Sequence, residues 1–68
     1  MTPDRLAAIG EQLHGKRWRA ALARHLKLSY AAMRNYARGR RAIPGPVAVA
    51  AECLLNEKHL RKELDAHA

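Results

Sequence analysis

The residues of this chain best equipped for chemistry are Arg34, Asn35 and Arg38, grouped within five positions and preceded by Tyr30 and Ala31. An arginine carries a planar fork of donors that fits any pair of neighbouring acceptors, such as a carboxylate, a phosphate or the edge of a guanine. An asparagine amide sets a donor beside an acceptor, and so complements a group that does the same. These are recognition groups rather than reaction groups. No acid–base pair, activated nucleophile or glycine-rich phosphate loop accompanies them, so an enzyme is not expected and no cofactor is called for.

The surroundings of this cluster are strongly biased in charge. Residues 16–41 hold nine Lys or Arg and no Asp or Glu, while the rest of the chain has four basic and six acidic residues, giving +9 inside the segment and −2 outside it. A solubilising surface would mix the two signs. A one-signed block instead suits a polyanion, whose condensed counterions are released as its phosphates are neutralised.

Helices must position these groups, since the apolar spacing is helical wherever it can be read and no alternating run suggests a strand. Thr2 suits an N-cap, Pro3 a first turn and Asp4 the positive end of a helix dipole, with Leu6, Ile9 and Leu13 on one side and Gly15 as a stop. A second helix is expected from about Arg17 to Leu26, turning Trp18, Leu22, Ala23 and Leu26 inward, which makes Trp18 a core residue. Ser29 then caps a third helix, backed by Met33, Tyr36 and Ala37 and ended by Gly39. Residues Arg40 to Gly45 form a loop, and Gly45-Pro46 opens a fourth helix.

Beyond that point two outcomes fit the pattern. A helix continuous through Asn56 carries two apolar stripes, one of Val47, Ala50, Ala51 and Leu54, the other of Val49, Cys53, Leu60 and Leu64. Only one can face its own core, so the second is expected to be a homodimer interface. A break near Asn56 would fold Leu60 and Leu64 back as a short fifth helix. Either way the expected fold is all-α, a compact bundle of four to five short helices. Residues 1–68 form one domain, with the helix at about 46–66 as its dimerisation element.

Several function classes are set aside at this stage. A 68-residue chain hides only roughly 60% of its unfolded surface and leaves little room for an enclosed small-molecule pocket. The longest apolar run, Ala42 to Ala51, holds two prolines and a glycine and is half the length of a membrane span, so no membrane role is expected. With one cysteine and no secretory signal pattern, the cytoplasm is the expected compartment. Cys53 is expected to be a packed thiol rather than a nucleophile. His59, Glu63 and His67 share a helical face at four-residue spacing, but a solvated C-terminus rather than a metal site is expected there. Glu57 with Arg61, and Arg61 with Asp65, have the spacing of helix-surface ion pairs.

The stretch from Arg19 to Arg38 resembles the Cro and CI type, lambda-repressor-like, helix-turn-helix family of phage and bacterial regulators. Ala23 is small where two helices would cross, Leu22 and Leu26 supply packing, Leu28 anchors the turn, and Met33 and Tyr36 pin the second helix. The following Arg-Gly-Arg-Arg-Ala-Ile-Pro segment is similar to the stretch after the recognition helix in many members, and Ala-Glu-Cys-Leu-Leu-Asn at 51–56 resembles the anti-CRISPR-associated repressors of phages. One position departs from the pattern: Lys27 stands where the family usually has glycine, and a left-handed turn would cost a lysine about 1 kcal/mol there.

The resemblance implies that Tyr30, Ala31, Arg34, Asn35 and Arg38 face the major groove of double-stranded DNA. Arg34 would pair with guanine, Asn35 with adenine, and Ala31 or the Tyr30 ring would meet a thymine methyl. Lys16, Arg17, Arg19, Ser29, Arg40 and Arg41 would hold phosphates. The function implied is a homodimeric repressor on a palindromic operator, with half-sites about one helical turn apart. An antitoxin that also binds its own promoter is the alternative.

Overall fold

A computed structural model describes residues 1–67, the last of them in backbone alone, and every regular element among them is helical. The all-α expectation therefore holds. Helix α1 (Pro3–His14) begins where the Thr2 hydroxyl oxygen accepts the Arg5 N–H at 3.1 Å, with proline and Asp4 in its first turn. It stops at Gly15, whose φ of 77° is one that a side chain resists.

The chain then re-enters a helix without a capping side chain. Residues Gly15–Arg17 make a single 3₁₀ turn, and α2 (Trp18–His25) starts at Trp18 rather than at Arg17 as the sequence suggested. A Ser29 cap follows, with its oxygen accepting the Ala32 N–H at 3.1 Å, and α3 (Tyr30–Ala37) runs from it. Helix α4 (Gly45–His67) has proline at its second position.

The ends of α2 and α3 share one hydrogen-bonding scheme. After α2, Lys27 N–H donates to Arg24 O at 3.2 Å and Leu28 N–H to Ala23 O at 2.8 Å. After α3, Gly39 N–H donates to Tyr36 O at 3.2 Å and Arg40 N–H to Asn35 O at 2.9 Å. Both are the paired closure that satisfies a helix's last carbonyls, and both need a left-handed residue. Gly39 takes φ 73° without penalty, whereas Lys27 takes φ 58° with a side chain attached.

Helix α1 is central and packs on α2, α3 and α4. The core is built from Leu6, Ile9, Trp18, Leu22, Ala23, Met33, Tyr36, Ala51 and Leu55, all buried. Its tightest approach is at Gly10, where any Cβ would fall well inside 3 Å of the Trp18 ring. A glycine inside a helix ordinarily weakens it, and here the missing side chain makes room for the indole. Two side-chain contacts bind α1 to α4. Arg5 Nε and Nη2 each donate to the Glu52 carboxylate at 2.8 Å, and Lys58 Nζ donates to Gln12 O.

Helix α4 runs through Asn56 without interruption, so Leu60 and Leu64 do not fold back as a fifth helix. No proline or glycine lies between Val47 and Ala66, and nothing there favours a break. Its first half buries Ala51 and Leu55, while residues 56–66 are exposed on every side and help draw the molecule out to 43 × 22 × 20 Å. Arg61 pairs with Glu57 at 3.0 Å, and the expected pair with Asp65 does not form. No helix among the described residues is long and apolar enough to cross a membrane.

Candidate nucleic-acid interface

Helix α3 has a buried back and an open front. Met33 and Tyr36 lie against the core, at 0% and 7% exposure, which fixes the rotation of the helix. With 100° per residue, Ala32 and Ala37 flank that buried face against the core and the positions away from it turn outward. Tyr30, Ala31, Arg34 and Arg38 are exposed and Asn35 is half-buried. Eight residues give about 12 Å of helix, enough to pass roughly three or four base pairs.

These outward groups fall into two adjoining clefts. One, of about 160 Å³, is lined by Ala31, Arg34, Asn35, Arg38 and Arg40. It brings together four of the five candidate base readers with one of the candidate phosphate holders. The other, of about 270 Å³, is lined by Lys16, Arg17, Arg19, Ala20 and Tyr30. Tyr30 of the second cleft has the guanidinium carbon of Arg34, from the first, 5.9 Å from its ring centre. That contact, one helical turn apart, holds the arginine along the outer face of α3. Arg19 lies similarly over Trp18, at 5.1 Å.

Ser29 and Arg41 line neither cleft. The Ser29 oxygen is engaged in capping α3, which leaves its hydroxyl proton to donate to an anion. Arg41 is exposed in the loop, and its N–H and that of Arg40 both donate to Asn35 O, so the loop is tied to the end of α3.

Charge reinforces this arrangement. All nine Lys and Arg of residues 16–41 are exposed, and the two ion pairs among the described residues, Arg5 with Glu52 and Arg61 with Glu57, involve none of them. The block is therefore uncompensated by the protein itself. Arg24 and Lys27 belong to it as well, although sequence reasoning assigned them no contact; their place in the same acid-free run was the available signal. A planar fork, an amide and a ring of free cations can together grip a phosphate backbone and read base edges.

Elsewhere, Cys53 is exposed rather than packed, as are Val49, Leu60 and Leu64. Tail residues His59 and Glu63 are exposed on α4, and the side chain of His67 lies outside the described residues. Comparison with protein-family models, with curated proteins and with solved structures returns no match.

Proposed function

We propose that this chain is a sequence-specific DNA-binding regulator of the helix-turn-helix kind, in which α2 crosses the backbone and α3 enters the major groove. One observation carries the proposal: Ala31, Arg34, Asn35 and Arg38 line a single open cleft on α3, within a run whose nine cations form no ion pair with an acid among the described residues. Arg34 reads guanine, Asn35 reads adenine, and the flanking cations with the Ser29 hydroxyl hold phosphates. The protein acts by occupancy rather than catalysis, as a repressor bound in two copies to an inverted repeat.

Selection from random duplexes at several salt concentrations tests this. A palindromic site should emerge, with affinity falling steeply as salt rises. Arg34→Ala and Asn35→Ala should each lose about 1 to 3 kcal/mol of discrimination at one base pair while melting as the parent does. Equal affinity for all duplexes, or full specificity in both variants, refutes the assignment.

A further inference from the structure

Where the last turns of α1 and α2 meet the middle of α4, the surface opens into a cleft of about 390 Å³. It shares no residue with the two clefts of the cationic face. Leu13 and Leu54, half-buried against the core, supply its apolar lining. The polar lining comes from His14 and His25, the final residues of their helices, and from Glu57, Lys58 and Arg61 of α4.

That polar lining is rich in donors and poor in free acceptors. Glu57, its one acid, is engaged by Arg61 at 3.0 Å, and Lys58 donates one of its three N–H groups to Gln12 O. Two N–H groups of the lysine, the rest of the Arg61 fork and one N–H on each neutral imidazole are left to serve a ligand. Since Arg61 is matched by Glu57, the Lys58 ammonium is the unbalanced charge of the cleft.

The spacing of the imidazoles decides what they can share. The ring centres of His14 and His25 lie 6.3 Å apart, with the planes inclined by 54°. An oxygen that accepts an N–H from each ring at about 2.9 Å sits about 4 Å from each centre, and the two centres then subtend about 100° at it. Two donors ordinarily meet one oxygen at such an angle. A metal ion held at about 2.1 Å would sit only about 3.2 Å from each centre, which forces a nearly straight nitrogen–metal–nitrogen line. Among the described residues no group of three His, Cys, Asp or Glu could complete its shell.

We infer that this cleft binds a small carboxylate with an apolar body, of the kind an aromatic acid provides. One carboxylate oxygen accepts from His14 and His25, the Lys58 ammonium balances the charge, and the hydrocarbon covers Leu13 and Leu54. Inorganic phosphate would satisfy the donors and leave the leucines wet, while a neutral apolar molecule would cover the leucines and leave the donors without an anion. The bound acid touches three helices at once, so it stabilises the folded chain by mass action. None of this depends on the DNA reading.

The test is a titration of the full chain with benzoate, followed by the imidazole C–H resonances. Those of His14 and His25 should shift together along one saturable curve, with an affinity on the order of millimolar, while His59, outside the cleft on α4, stays still. Acetate, benzyl alcohol and inorganic phosphate should each bind at least about tenfold more weakly, since each lacks either the body or the charge that the cleft matches. His25→Ala and Lys58→Gln should each weaken benzoate about tenfold, and the helical melt should persist because both side chains are exposed. Shifts that never saturate, equal binding of any of the three comparison compounds, or undiminished binding in either variant overturns the inference.

Discussion

The turn that closes α2 and the turn that closes α3 use the same two backbone hydrogen bonds, yet Lys27 occupies the left-handed position in one and Gly39 in the other. The second turn leads into a loop that carries two arginines of its own. The first leads, within two residues, straight into the Ser29 cap and the exposed face of α3. A lysine there adds one more cation to the uncompensated block at a conformational cost that glycine would avoid. The difference is what a trade of stability for charge would leave behind: the strained residue sits two positions before the Ser29 cap of the helix proposed to enter the groove.

The largest expected effect breaks the frame on which both turns hang. Gly10→Ala drives a methyl into the Trp18 ring and should cost about 3 kcal/mol, despite alanine's better helix propensity, because the buried indole or α1 itself must shift to admit it. Urea unfolding would read this as a lower midpoint, and an unchanged midpoint would mean that α1 and α2 are less tightly packed than described.

Exchanging the two residues sharpens the comparison directly. Gly39→Lys should destabilise by about 1 to 2 kcal/mol and Lys27→Gly should stabilise by about 1 kcal/mol. If Lys27 serves the duplex, the more stable Lys27→Gly variant should bind DNA more weakly and reduce the slope of log affinity against log salt by about 0.9. Stabilisation with undiminished binding would leave the lysine unexplained.

The smallest effect should touch neither turn. No acid lies in either, so acidification should act elsewhere, at the ion pair between α1 and α4. Hydrogen bonding to Arg5 is the main cause holding the Glu52 carboxyl below its ordinary value. A carboxylate with a lowered folded pKa stabilises fully above its unfolded pKa, and that contribution disappears as pH falls through the folded value. Glu52→Gln should therefore lower the melting temperature slightly at neutral pH and flatten its fall on acidification. Both groups are well exposed, so the shift should be small and should shrink in salt.

Legibility in the sequence followed distance along the chain. Thr2, Gly15, Ser29 and Gly39 act on groups within a few residues, and each could be placed from its neighbours. The back of α3 was equally readable, because Met33 and Tyr36 declare themselves by spacing. At Lys27 only the family resemblance implies a glycine, and the φ of 58° there is the left-handed conformation that glycine favours. The close approach of Gly10 to Trp18 and the bond from Arg5 to Glu52 join residues 8 and 47 positions apart, and no local rule relates them. The continuity of α4 was undecidable from spacing, since a continuous helix and a broken one both accommodate Leu60 and Leu64.

Trp18 is the sole indole of the chain, and it is 1% exposed. Its emission should therefore be blue-shifted in the native protein and move to the red on unfolding, without interference from a second fluorophore of its kind. Arg19 rests over the same ring on the cationic side of the molecule. An anion that draws that guanidinium away would alter the quantum yield, so the native chain carries its own optical signal both for melting and for engagement of its charged surface.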